Sequence, residues 1–492
     1  MKLNVKKLLP IIIAVAAVIV IAVVIILAVN ALSTPKEAFV VPEADMTFVY
    51  VKEDDESILM RDGAATEITV NGKVQTQYIR YSLDGATVAY LDENDSLYVV
   101  YDGEENRIKK NVVSFRLSAD GSTVAYVNNK DELVLVDLKT EDEKIVTEDI
   151  YSSDYALSPN GRSVLYAEGD EDAYTVFVYV NGEVTELEGG EGCLPIGIAD
   201  KAKYVYYADE DGALYVKSGK KDAVKLAKEY YTKSGRGVSL NADHTQIIYW
   251  ANEDAVYVSV NGDDDVKLTA KGISYMPGTE DGYTTMGTEA TTLPIRDVRG
   301  LYFIDGDNDL RYIEKDLSTS RVDKDVMALK VTDTIDMVYY VDEDGGLYRG
   351  KGGSEDFERI ARDVTKFDIT SDGKTCYYLD DEETLIYVDK KGEDTKICKE
   401  VASFCITPDD YVLYLTDYEK ESALISKGKL YGCKNGKEGE LIAKDVFAVS
   451  ATETGAYYIC DLDIKATSAT CDIYGASKKL EFEKIVENVS LY

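Results

Sequence analysis

Histidine is nearly missing from this 492-residue chain, with His244 the only one, and tryptophan is as scarce, with Trp250 alone. A single imidazole cannot build a histidine-rich metal site. A Ser-His-Asp triad would have to use His244, and no Gly-x-Ser-x-Gly elbow accompanies it. Cysteine is sparse too: Cys193, Cys376, Cys398, Cys405, Cys433, Cys460 and Cys471 form no Cys-x-x-Cys pair, so neither zinc binding nor thiol redox chemistry is signalled. Six of the seven follow position 370, which would permit disulfides between late segments, yet an odd number leaves one unpaired in the monomer. Positive charge is in deficit, 54 Lys plus Arg against 91 Asp plus Glu, for a formal net charge of −37. That excess argues against nucleic acid or an anionic lipid surface as a partner of the folded region. It also makes close carboxylate pairs too common to single out the two acids of a glycosidase. The chain reads as no enzyme, with no metal and no cofactor.

What is present in quantity is one repeated unit. Ser118-Ala-Asp-Gly-Ser-Thr-Val-Ala-Tyr-Val127, followed by Leu133-Val-Leu-Val-Asp137, predicts a hairpin turning at Gly121 with a third strand after it and a fourth near Lys144 to Val146. Copies of the turn start at Ser82, Ser158, Ala199 and Asn241, then near Thr332, Thr370, Thr407 and Ala451. A Leu-Tyr or its equivalent marks the third strand at Leu97-Tyr98, Leu214-Tyr215, Val256-Tyr257 and Leu347-Tyr348. A period of roughly 40 residues with about four short strands is the pattern of a β-propeller. Most of the 38 tyrosines fall in these strands, where burial accounts for them better than sugar stacking. By the same pattern Cys376, Cys405 and Cys460 stand where other copies carry Ala, Val or Leu, as small core residues. His244 stands where other copies carry Gly, as an exposed turn residue.

The Ser-Pro-Asp-Gly-Lys-x-Val-Ala-Tyr pattern with Leu-Tyr-Val after it, seen best at 82–99, 118–136, 158–179 and 370–388, resembles the repeats of the TolB and WD40-like propeller superfamily. The Gly-His and Trp-Asp pairs of true WD40 repeats are absent. The resemblance implies an all-β propeller that serves as a binding platform, and names no ligand. Ten units start near Val74, Val112, Ile150, Glu191, Tyr231, Ile273, Val326, Val364, Val401 and Val446, with an incomplete eleventh at Thr47 to Val70. Ten to eleven units divide better into two packed rings than into one large one, with a ring boundary expected within 273–300. Thr47-Phe-Val-Tyr-Val51 lacks a first strand, and Asn488-Val-Ser-Leu-Tyr492 copies one, so the two segments are expected side by side in a composite blade.

Residues 1–7 carry Lys2, Lys6 and Lys7, and Leu8 to Val29 is apolar apart from Pro10. Such a run would span about 33 Å as a helix, enough for a bilayer. It is longer than a signal-peptide core and lacks a convincing cleavage site, so it reads as an uncleaved transmembrane anchor. The lysines put residues 1–7 in the cytoplasm and the propeller outside. Residues 30–45 read as a linker, and 46–492 as the repeat region.

Two motifs interrupt the repeat. Asp305-Gly-Asp-Asn-Asp309 has the alternating acids of a calcium loop but has Leu310 where Gly should follow, so it reads as a hairpin turn. The insert Tyr275 to Arg299 replaces an expected hairpin, and long polar loops within compact repeats more often carry function than strands do. Its Tyr283, Met286, Arg296 and Arg299 are the candidate ligand contacts. The expected function is a membrane-anchored, extracytoplasmic binding or scaffold module for protein or cell-envelope ligands. The alternatives are a sensor or assembly factor working through a membrane partner, and, third, an extracellular hydrolase.

Overall fold

The computed structural model describes residues 48–51, 57–60, 68–69 and 74–491, except 83–85, 171–172, 231–236, 242, 253, 264, 277–296, 333, 355, 421–425, 452–454, 465–468 and 477–479. The candidate transmembrane span and linker lie outside the described residues. Among those described, no helix is long and apolar enough to cross a membrane.

The described residues are all-β and are built from repeated antiparallel meanders, the blade unit of a β-propeller. We number the sheets along the chain: a three-stranded sheet 1 (48–69); four-stranded sheets 2 (74–109), 3 (112–147), 4 (150–191), 5 (194–227), 6 (238–269), 7 (273–323), 8 (326–361) and 9 (364–398); and a seven-stranded sheet 10 (403–491). Sheet 10 is two meanders sharing one strand. The first half of Glu440–Ala451 pairs back to Ser426–Cys433, and after register shifts its second half pairs forward to Ala456–Ile464.

The strands follow from the pattern. In sheet 3 they are Val112–Leu117, Thr123–Asn128, Leu133–Asp137 and Glu143–Thr147. The second and third are β-branched or aromatic and buried almost throughout, because both faces are covered. Several sheets that follow one another in the chain pack face to face. Ala89, Leu97 and Val99 of sheet 2 meet Phe115, Val124 and Tyr126 of sheet 3, and Ala125 and Leu133 on the opposite face meet Tyr155, Val164 and Tyr166 of sheet 4. Similar seams join sheets 4 and 5, 5 and 6, 8 and 9, and 9 and 10.

The tyrosines form a ladder. Second- and third-strand tyrosines stand directly opposite one another and stack, as in Tyr90 with Tyr98 (ring centroids 5.4 Å apart), Tyr249 with Tyr257 (5.6 Å), Tyr340 with Tyr348 (4.9 Å) and Tyr458 with Tyr474 (4.9 Å). On the fourth strand a cation often caps the pair, as Lys267 does over Tyr257 at 5.9 Å. Burial in the strands, as expected, accounts for them.

The turn that announces the repeat is an interlocking device. The Ser118 hydroxyl accepts the Thr123 N–H at 3.0 Å, and Ser158, Asn241, Thr332 and Thr407 do the same for the chain four or five residues on. The residue three on is left-handed: Gly121 (φ +68°), Gly161 (+68°) and Gly373 (+60°). A methyl on Gly121 would stand 2.6 Å from Thr87 Oγ1 and 2.8 Å from Ser82 Cβ, both on the preceding sheet. A methyl on Gly161 would likewise meet Thr123, and one on Gly373 would meet Thr332 and Met337, so these turns are wedged into the turns before them.

Part of the acidic excess sits in the turns too. Between second and third strands an aspartate accepts two backbone N–H groups: Asp92 from Asn94 and Ser96, Asp209 from Asp211 and Ala213, Asp380 from Glu382 and Thr384. Asp92 is buried, so the acids are structural caps as well as a solvated fringe.

The chain separates into two compact units, 77–326 and 1–76 with 327–492. The first contains sheets 2 to 7 nearly whole; the second contains sheets 1 and 8 to 10. The insert is carried between the first and second strands of one sheet, since Ile273 pairs with Asp305 and Tyr275 with Ile304. In the second unit the last strand, Glu483–Leu491, pairs with Ala469–Ala476 and lies beside Phe48–Val51.

Candidate functional site

A cleft of about 440 Å³ opens between sheets 4 and 5. One wall is made by an irregularity in Glu183–Glu191. Phe177 pairs with Glu186 but Thr175 pairs with Glu191, so Leu187 to Gly190 bulge out of the ladder, with Gly189 at φ +75°. The opposite wall is the Asp209–Asp211 turn. The floor is the stacked pair Tyr207 and Tyr215, 5.3 Å apart and 12° from parallel.

Six carboxylates line the cleft, from Glu188, Glu191, Asp209, Glu210, Asp211 and Asp222, against the single cation of Lys217. Lys217 is tied to Glu188 at 3.3 Å. Asp209 is held by its turn and also accepts the Tyr215 phenol at 3.0 Å. The Cys193 thiol donates to Gly189 O at 3.3 Å. Burial, with help from Asp209 and Glu210, pushes Cys193 up to about 11, so it stays a thiol at neutral pH. Burial likewise pushes Tyr207 up to about 12. The cleft therefore presents an aromatic floor in a negative field. The feature that marks it in the sequence is the Gly-Gly-Glu-Gly run before Cys193; the doubled acids after Tyr207 recur at Asp92-Glu93, Asp342-Glu343 and Asp380-Asp381 and do not set this copy apart.

Of the candidate contacts on the insert, Tyr283, Met286 and Arg296 lie outside the described residues. Arg299 is described: its guanidinium reaches Asp297 at 3.2 Å, two residues away. Asp305–Asp309 is the hairpin turn that the sequence suggests, between Tyr302–Asp305 and Leu310–Ile313. Asp305 is fully buried, caps the Asp307 and Asp309 N–H groups, and is paired with Arg311, which also reaches Asp309 at 3.1 Å.

His244 corrects its expected place. It is left-handed (φ +55°) in the glycine slot, but half-buried rather than exposed, with Nδ1 on Ile198 O at 2.8 Å and its own carbonyl accepting the Tyr206 phenol at 3.3 Å. The slot faces the preceding sheet, so any side chain placed there is driven into the seam. None of the seven cysteines is in a disulfide. Cys376, Cys433, Cys460 and Cys471 are buried, and desolvation raises the Cys376, Cys405, Cys433 and Cys460 thiols to about 12.

No family model matches the chain, and no curated protein matches it. Among solved structures, the tricorn protease aligns with 90% of this chain at 10% identity and a TM-score of 0.34; the chain spans 58% of that protein's length. An oligogalacturonate lyase in complex with manganese aligns with 69% of this chain and 93% of its own, at 12% identity and a TM-score of 0.31. The fold rests on the sheets and their packing rather than on these likenesses.

Proposed function

We propose that this chain is a membrane-anchored, extracytoplasmic β-propeller of two rings that captures a protein or cell-envelope ligand. The cleft between sheets 4 and 5 carries the reading: it is concave, floored by aromatic rings and strongly negative, so it favours a cationic group presented by the ligand. The use of reactive side chains supports binding over catalysis. The one histidine is bonded to a backbone carbonyl in a seam, and the buried thiols are held protonated. The division into two compact units supports two rings. The anchor rests on the apolar run from Leu8 to Val29.

Two experiments test this. Protease added to intact cells or protoplasts should digest the region beyond Asn30 while a tag at the N-terminus stays protected; a protected propeller would overturn the topology. Surface crosslinking with mass spectrometry should recover a ligand with the natural chain and much less with the triple variant Glu191→Gln, Glu210→Gln, Asp222→Asn. Equal recovery from both would remove the cleft from the function.

A further inference from the structure

The residue two places before the turn on each first strand faces the next sheet. In sheets 8 and 9 this position holds Lys330 and Asp368, which meet across the seam at 3.9 Å. In sheets 3 and 4 the same position holds Arg116 and Ala156. The cation is there, but alanine stands where the carboxylate would be.

Arg116 is half-buried, and no carboxylate lies within ion-pair distance of it among the described residues, in a chain with 91 acids. Its guanidinium is held over the Tyr155 ring at 5.2 Å, which fixes its plane and leaves its edge N–H groups for another acceptor. Ser114, two residues earlier and so on the same strand face, adds a buried hydroxyl. That hydroxyl is near enough to the Tyr155 phenol to weigh on its ionisation, yet makes no hydrogen bond of normal geometry. The phenol proton itself goes to Ala125 O at 3.0 Å. A half-buried guanidinium without an anion bears a desolvation cost that an arriving carboxylate would offset with two parallel charge-assisted hydrogen bonds.

We propose that Arg116, with Ser114 beside it, is a binding site for the carboxylate group of an external ligand, which takes the place that Asp368 fills in the later repeat. The site is opposite in sign to the acidic cleft and stands whether or not that cleft binds anything.

The test is calorimetric titration of the full chain in detergent with acetate, at ionic strength held constant with chloride. Saturable binding is expected in the natural chain. Arg116→Gln should weaken it by about tenfold or more, the loss of a charged bidentate contact. Arg116→Lys, which keeps the charge and is the safer fold, should weaken it as well because the fork is gone. Ala156→Asp should abolish acetate binding by supplying a carboxylate from within; because Ala156 is buried beside Leu165, Val205 and Tyr207, the variant is compared only once its circular dichroism shows it folded. Replacing the exposed Arg162 by Gln should change nothing. Inorganic phosphate is titrated in parallel: phosphate binding with no acetate binding would overturn the carboxylate assignment. No saturable acetate binding to the natural chain, or equal binding by the Arg116 variants and Ala156→Asp, would overturn the site.

Discussion

At the scale of single residues, His244 shows how the repeat constrains what it carries. Its backbone does what Gly121 and Gly161 do, with the same N–H to carbonyl bond of 2.9 Å three residues back. Its ring is desolvated in the seam, which lowers its pKa below the ordinary value despite the pull of Asp200 and Asp243. The unfolded chain therefore binds the proton more tightly than the folded one. Linkage then makes stability rise with pH through the window from the lowered folded pKa up to the unfolded value near 6.5, and fall as the medium is acidified through it. His244→Gly keeps the turn and removes the titration. The difference in urea midpoint between the natural chain and this variant should shrink in favour of the variant from pH 8 to pH 5; a difference independent of pH would show that the ring does not titrate there. The turn glycines allow a sharper contrast. Gly121→Ala meets both a left-handed φ and the neighbouring Thr87 and Ser82, whereas Gly103→Ala has the same kind of φ (+83°) and nothing within 4 Å. The first should be destabilising by about 1 kcal/mol or more beyond the second, as seen in denaturant midpoints at equal slope.

At the scale of elements, the tyrosine ladder explains how short strands hold together where the repeat motif has decayed. Tyr340 and Tyr348 stack within one sheet, and Phe357 meets Tyr340 edge-on at 5.2 Å. A double-mutant cycle on Tyr340→Leu and Tyr348→Leu should give a coupling of about 0.5–1.5 kcal/mol, since offset-stacked rings add to simple burial. Additive losses would mean that each ring acts only through its buried area. Much of this was legible beforehand. The strand starts at Val74, Val112, Ile150, Ile273, Val326 and Val364 fall where the turn spacing puts them, because turn chemistry is local. The side of the turn on which His244 lies was not legible, since that depends on the preceding sheet.

At the scale of the whole molecule, the meeting of the chain's last strand with Phe48–Val51 bears on stability. Val489, Ser490 and Leu491 pair with Cys471, Thr470 and Ala469, so deleting 489–492 strips a strand end from sheet 10 and leaves the start of Ala469–Ala476 as an unpaired edge. The deletion should lower the melting temperature by several degrees and raise aggregation on heating. A truncated chain that melts like the full one would show that these residues contribute nothing to closing the second unit.

The sequence by itself determined the repeat, its turns, the meander of four strands and the burial of the tyrosines, all of which follow from contacts within some forty residues. Only the tertiary structure decided what happens between sheets: the cleft beside Cys193, the wedge at His244, the seat of Arg116 over Tyr155 and the meeting of Lys330 with Asp368. Those features depend on which face of one repeat meets which face of the next. A side chain's neighbours across a seam come from positions about forty residues away, and no local propensity encodes them.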